Sequence, residues 1–475
     1  MCVLALLLWA ARPAVAQDGD ESSAAPEIDW SAASEEAADL LSRYIRVNTT
    51  NPPGREIVAA RFLRDQLISE GIEFLLIDQG EGAGGGKAAL VGRIRAGREP
   101  REGAIVLLSH MDVVAASPEF WSVDPLAGEI RDGYIWGRGA LDMKGTAIAQ
   151  LMALKLLARH GPPLSRDIIL LATSDEEIVG GIDAGDFLQD HADLIKGAEF
   201  VINEGGTIRV DANDDVLYYG VGVTEKSPFW QSVTARGPSG HGSQPIAASA
   251  LNRLVEGLER LRSWDTPIQL TPPVAEFFRR LALVAPPAEA ELYADIEGSL
   301  ADPEKRALIL RDRYHNAILR NTISITALEG SPRTNVIPPM ASAELDVRLL
   351  PGADPDSFLA ELRERAGADG ETLTIEPLGQ NWPATASPSD SELFRAIESL
   401  AEEFDPGATV LPYVLAGFTD SHYFREMGIE AYGLGLFKLP VSESERVHGV
   451  DERLSLQNLG FGTQFLYELL VRVGT

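Results

Sequence analysis

Cysteine is almost missing: the chain has one in 475 residues, Cys2. That excludes a disulfide framework and any zinc or iron–sulfur site built from several thiolates. Basic side chains are also short, with 41 Lys and Arg against 71 Asp and Glu and a net charge of −30. Such a surface repels phosphate, so neither a nucleic-acid partner nor an anionic membrane surface is expected. Long apolar runs are lacking too. The most apolar stretch, near the start, is about half the roughly 20 residues a spanning helix needs. Two familiar hydrolase signatures do not occur: there is no Gly-x-Ser-x-Gly elbow and no His-Glu-x-x-His helix. Histidine is scarce at seven, so each one can be weighed separately.

What is present describes a globular, multidomain protein. Hydrophobic residues are 45% and charged residues 24%, which excludes wholesale disorder and a fibrous repeat. At roughly 150 residues per domain, two or three domains are expected. Residues 1–16 (MCVLALLLWAARPAVA) end in Ala14-Val15-Ala16, the small-residue pattern of a signal-peptide cleavage site, although no basic residue opens them. Export to the periplasm or the exterior is the expectation, with residues 17–28 as a flexible polar leader. Apolar spacing predicts helices at 30–47, 55–71, 143–160 and 183–191, with strands at 74–77, 89–94, 104–109, 167–173 and 199–202. Alternating strands and helices imply an α/β layered domain. Near Lys226 the texture changes to a smaller α+β unit. It has strands at 229–235, 321–328, 341–350 and 372–377, helices at 248–261 and 356–366, and a Pro-punctuated helical stretch at 264–321. Helices at 391–403 and 455–473 return to the first texture. The expected domains are therefore a catalytic domain in two parts, 29–225 and 379–475, interrupted by an inserted domain at 226–378.

Gly80, Gly82 and Gly85 match a dinucleotide fingerprint by letter. A strand rather than a helix follows them, so no helix N-terminus is offered to a phosphate. The residues that carry chemistry lie at predicted strand ends, where an α/β sheet presents side chains to a cleft. Ser109-His110-Met111-Asp112 supplies a ring nitrogen, with Asp112 two residues on to hold the other nitrogen; a structural strand-end histidine is the bland alternative. Asp142, in Gly137-Arg-Gly-Ala-Leu-Asp-Met-Lys-Gly145, can bridge two cations, or simply cap a helix. Asp175-Glu176-Glu177 is either an exposed acidic turn or, if buried, a set that needs cations or a retained proton. Glu204, in Asn-Glu-Gly-Gly, is a further carboxylate, and His448 a late histidine. Two histidines and three carboxylates suit a pair of zinc ions sharing one carboxylate.

Together these pieces resemble the M20 family of metallopeptidases, which includes aminoacylases, glutamate carboxypeptidases and succinyl-diaminopimelate desuccinylases. The matching segments are SHMDVV, GRGALDMKG, TSDEEIVGG, INEGG, GHGSQP, NVIPPMASAELDVR and RVHGVDE, in family order. They span about 31–473. FTDSHYFRE, HGVDE and the long stretch before Asn321 look most like the carboxypeptidase S and N-fatty-acyl-amino-acid hydrolase branch.

The resemblance implies a zinc-exopeptidase-like α/β/α catalytic domain with a smaller α+β lid or dimerisation domain inserted. It implies two Zn2+, with Co2+ or Mn2+ as possible substitutes. Asp142 would bridge them, His110 and Glu204 would complete one site, and Glu177 and His448 the other. Glu176 would be the general base and Asp112 would orient His110. His241 would stabilise the oxyanion, possibly from a second copy in a homodimer. Asn335 and Arg348 would hold a substrate carboxylate, with Gly417 and Thr419 lining the same pocket. The implied substrate is a small peptide or an N-acyl amino acid with a free carboxylate. A catalytically silent, exported metal- or solute-binding protein on the same fold is the alternative. A serine hydrolase using Ser243 beside His241 lacks an elbow and a third member. Surface positions are expected for His160 and His191, no partner for His315, and a place near the pocket for His422. Core packing is expected for Trp121, Trp136 and Trp230. Phe277, Phe278, Leu281, Leu283 and Val284 would form either a mini-core or the roof of an acyl pocket.

Overall fold

A computed structural model describes residues 27–80, 86–97, 103–178, 182–379 and 382–475. The expected signal peptide, most of the leader and Gly82 to Gly85 lie outside them. Two compact units emerge: Met1–Glu199 with Glu443–Thr475, and Phe200–Ser442.

The first unit is built on a sheet with the strand order Glu73–Gly80, Lys87–Ile94, Ile168–Thr173, Ala104–His110. The first two pairings are antiparallel and the last is parallel, with His110 opposite Thr173. All residues of Ala104–His110 and of Ile168–Thr173 are buried, as strands covered on both faces require. Helices Trp30–Ile45, Lys144–His160 and Leu456–Gly474 pack on one another, and Glu56–Ser69 packs on Lys87–Ile94. Two helices start one residue inside their expected spans because a short polar side chain caps each of them. Asp183 accepts from Gly185 and Asp186 N–H, and Ser455 from Asn458 N–H, satisfying donors that the first turn leaves open.

Among the described residues, the second unit holds two larger sheets and a two-stranded one, Gly240–His241 with Val336–Ile337. One runs Ala198–Asn203, Glu430–Leu434, Val216–Glu225, Thr207–Val210, Lys438–Leu439, with Val410–Leu415 parallel to Val216–Glu225. Gly222 lies so close to its neighbours that a Cβ would sit 2.7 Å from the Gly205 carbonyl oxygen. The other sheet pairs Met340–Leu349 with Thr322–Glu329 on one side and Gln231–Arg236 on the other, and Leu373–Pro377 follows. Helices Ala250–Arg262 and Pro355–Ala366 close a core around Val233, Leu254, Leu345, Leu362 and Ile375.

The helical stretch before Asn321 folds into five short helices between Pro272 and Ile318. Phe277, Phe278 and Leu281 are buried there with Tyr293 and Ile309 and with Leu411 and Val414 of the Val410–Leu415 strand, so these residues form a core that the stretch shares with the sheet. Leu283 departs from the expected set: it is 70% exposed, because it falls just past the Pro272–Leu281 helix. His315, expected to lack a partner, is buried with its ring 5.0 Å from Phe278 and 5.4 Å from Tyr293.

Candidate functional site

The end of the Ala104–His110 strand delivers His110 to a buried position. Its Nδ1 lies 3.0 Å from the Asp112 carbonyl oxygen and 3.4 Å from Asp112 Oδ1. With Nδ1 donating to Asp112, Nε2 is turned towards Asp142 Oδ1, 3.2 Å away. Asp112 does more than orient this ring. Its two oxygens accept the backbone N–H groups of Glu176 and Glu177, each at 3.2 Å. Burial works to raise the Asp112 carboxyl, but the His110 hydrogen bond and charge outweigh it and hold the group below its ordinary range.

Asp142 does not cap the helix that follows it. Lys144–His160 has Met143 as its N-cap and no side-chain cap bond. Each Asp142 oxygen instead faces one imidazole: Oδ1 faces His110 Nε2, and Oδ2 faces His448 Nε2 at 3.1 Å. His448 Nε2 also lies 3.0 Å from Glu177 Oε2. The hydrogen bonds that His448 donates to the Asp142 and Glu177 carboxylates raise it to about 10. Burial would raise Asp142, yet the two histidines hold it well below the carboxylate range.

The loop carrying Asp142 is held from beneath by Glu452, fully buried. Glu452 Oε1 accepts Leu141 N–H at 2.7 Å and Asp142 N–H at 3.0 Å. Its Oε2 accepts Gly139 N–H at 2.9 Å and Arg138 Nη1 at 2.6 Å. Sequence reasoning quoted the segment that contains Glu452 without giving the residue a role. It also missed Asn51, Glu56 and Lys87, which surround Asp175. The acidic triplet is therefore not an exposed turn. Asp175 is buried with φ 57°, and Lys87 supplies the cation it needs.

The donor set fits divalent cations. One ligand atom each from His110, Asp142 and Glu177 lies within 4.8 Å of the others, and two imidazole nitrogens address different oxygens of one carboxylate. Borderline cations such as Zn2+ take this mixture of imidazole and carboxylate.

The remaining predicted residues lie in the second unit. Glu204 directly follows Ala198–Asn203. His241 and Asn335 come together, because Gly240–His241 pairs with Val336–Ile337 and Gly242 N–H donates to the Asn335 carbonyl at 2.8 Å. His241 Nδ1 accepts Ser243 N–H at 3.1 Å, so the neutral ring carries its proton on Nε2. Arg348 is bonded to Asp346 at 2.6 and 3.1 Å and lies over the rings of Phe418 and Trp230. Its Nη1 is buried with no partner among the described residues. Gly417 is part of the loop after Val410–Leu415. Thr419 is buried, and both its N–H and its hydroxyl donate to Glu225 at 3.0 Å. His422 is buried, stacked 4.3 Å from Trp382, with Nδ1 2.7 Å from the Thr419 carbonyl oxygen. Of the tryptophans, Trp136 is buried, Trp121 lies under Arg138, and Trp230 donates to Asp346 at 3.0 Å.

Residues 106–472 match the peptidase family M20/M25/M40. The chain is 29% identical over 372 residues to the N-fatty-acyl-amino acid synthase/hydrolase PM20D1 of Xenopus tropicalis, covering 77% of this chain and 71% of that protein. It is 28% identical over 424 residues to Aminoacylase-1 of Homo sapiens, covering 87% and 90%. Among solved structures, the M20 family metallo-carboxypeptidase Sso-CP2 from Sulfolobus solfataricus superposes with a TM-score of 0.70 at 20% identity, over 92% of this chain and 98% of that one. Human carnosine dipeptidase 1 gives 0.69 at 16% identity, over 93% and 97%. The mixed α/β fold is the fold of these enzymes.

Proposed function

The chain belongs to peptidase family M20/M25/M40, and from that premise we propose that it is a two-zinc amidohydrolase. It releases an amino acid bearing a free carboxylate from a small peptide or an N-acyl amino acid. That it is a hydrolase of amide bonds follows from the family. The metal identity, the base and the substrate are our reading.

One observation carries it: Asp142 presents each of its oxygens to a different histidine Nε2. His110 and Asp142 would hold one cation, and Asp142, Glu177 and His448 the other. Glu204 keeps the ligand role that the resemblance gives it, and Co2+ or Mn2+ would substitute for Zn2+. Bound cations of this kind supply Lewis acidity to the scissile carbonyl and make a water acidic near neutral pH. Glu176 takes the proton of the attacking water and passes it to the leaving nitrogen. Its backbone is fixed by Asp112, which suits a base that must meet a defined atom. His241, with its proton on Nε2, is the donor to the tetrahedral oxyanion; loss of such a donor costs about 100- to 1000-fold in turnover. Arg348, whose Nη1 has no partner among the described residues, grips the substrate carboxylate beside Asn335, and Gly417 and Thr419 belong to the loop that lines that pocket. Export through the residue 1–16 leader is part of the same proposal. So is a homodimer through the Thr322–Glu329 edge strand, where Leu328 is 67% exposed.

The test is a mass-spectrometric screen of the zinc-loaded chain against dipeptides and short- and long-chain N-acyl amino acids. Glu176→Ala serves as the control. The wild type should release free amino acid, and the variant should keep its metal and lose turnover. Two bound metals with no release from any substrate would favour the silent binding protein. Full turnover in Glu176→Ala would remove the base assignment.

A further inference from the structure

Beneath the metal centre lies a set of buried charges that the reaction chemistry does not use directly. Lys87, Glu56, Asp175, Asp112 and Asn51 are at most 4% exposed. The Lys87 ammonium lies 3.2 Å from Glu56 and is bonded to Asp175 Oδ1. Asn51 Nδ2 donates to that same Asp175 oxygen at 2.7 Å and to Asp112 Oδ2 at 2.8 Å. The other Asp175 oxygen accepts Ile182 N–H at 2.8 Å. Gly54 leaves the room these groups need: a Cβ there would sit 2.1 Å from Lys87 Nζ.

We infer that Lys87 is a positioning residue of the metal centre, acting through Asp175 and Asn51 on Asp112. The chain of contacts has a direction. Lys87 holds Asp175, Asp175 orients the Asn51 amide, and Asn51 pins one oxygen of Asp112. Asp112 in turn addresses three things at once: the His110 ring and the backbones of Glu176 and Glu177. A shift of Asp112 would therefore misplace a histidine ligand, a carboxylate ligand and the base together. Partners beyond the ligands set ligand orientation, and losing one typically costs about 10- to 100-fold in metal affinity or activity. Lys87 suits this place because an ammonium is a compact charge with three donors that can address several carboxylate oxygens. This inference rests on the two-metal reading above.

Removing Lys87 alone would strand buried carboxylates, so the informative variant is Lys87→Met/Glu56→Gln, which deletes one positive and one negative charge. Three readouts are needed: cooperative unfolding, Zn2+ affinity by competition with a chromophoric chelator, and kcat and KM on the substrate found in the screen. The expected result is a folded protein with KM within about twofold of wild type and a loss of about 10- to 100-fold in Zn2+ affinity or kcat. Asn51→Leu should give the same loss, and adding Asn51→Leu to the paired variant should cost nothing further. Wild-type Zn2+ affinity and kcat in a folded paired variant would overturn the inference. So would strictly multiplicative losses, since Lys87 would then not act through Asn51. If the paired variant does not fold, the Asn51→Leu arm decides, with wild-type affinity again the overturning result. The Zn2+ arm needs no substrate. A chain that binds two Zn2+ normally but hydrolyses nothing refutes the function and still tests the relay.

Discussion

Glu452→Ala should be among the most damaging single changes in the first unit, and its cost can be worked from the contacts it breaks. Glu452 is fully buried and accepts from Arg138 Nη1 and from the N–H groups of Gly139, Leu141 and Asp142. Stranding a buried arginine costs about 3–5 kcal/mol. Arg138 keeps its bond to the Gly449 carbonyl at 2.8 Å and its place over Trp121, which favours the low end. Each of the three N–H groups adds about 1–3 kcal/mol if left without an acceptor, though water entering the vacated volume recovers part of this. A loss of at least about 4 kcal/mol follows, a large share of the roughly 5–15 kcal/mol that holds a domain together. Urea unfolding of the metal-free protein, followed by circular dichroism, measures it. Arg138→Met/Glu452→Gln should recover most of the loss, because the unpaired charge is gone and an amide oxygen still accepts from the loop. A loss under about 1 kcal/mol for Glu452→Ala would refute this account. So would a double variant no more stable than the single one, since stranded charge would then not be the main term.

Three further outcomes are expected. Zn2+ at about 1000 times its dissociation constant should stabilise the wild type by about 4 kcal/mol; the same thermal shift in Asp142→Ala would remove the shared carboxylate from the site. Burial, with Arg425 adding to it, lowers His422 to about 4, so the unfolded chain takes up that proton first. Stability from this group is full above about pH 6.5 and is lost as pH falls towards 4, by about 3 kcal/mol at most. His422→Gln should flatten that part of the acid profile, and a His422 NMR titration midpoint near 6.5 would contradict it. Leu328→Glu on the exposed edge strand should convert a dimer to a monomer in light scattering, and a wild type that is already monomeric refutes the proposed interface.

What was legible in the sequence depends on how local its cause is. His110, Asp142, Glu176, Glu177 and His448 stand in short segments whose turn residues and strand ends advertise a site, so their grouping could be expected before any coordinates. Helices Lys144–His160 and Leu456–Gly474 were readable from apolar spacing, and the one-residue error at the start of the second reflects the Ser455 cap. The Val216–Glu225 strand went unread because Gly220 and Gly222 break its apolar pattern. Both are crowded by residues from elsewhere in the fold: a Cβ at Gly222 would sit 2.7 Å from the Gly205 carbonyl oxygen, and one at Gly220 2.9 Å from the Thr207 side chain. The supporting charges were hidden for the same reason. Lys87 looks like a soluble lysine after a glycine-rich run, and Asn51 looks like a turn residue before two prolines. Their partners lie 31, 88 and 124 residues away in the chain, so no local window contains the reason for their burial. Asp175 was the one visible clue. Three adjacent carboxylates at a strand end cannot all be buried and ionised without a cation, so burial called for either a cation or a retained proton. For Asp175 the cation is Lys87, and its position behind the ligands rather than among them is what makes it a positioning residue.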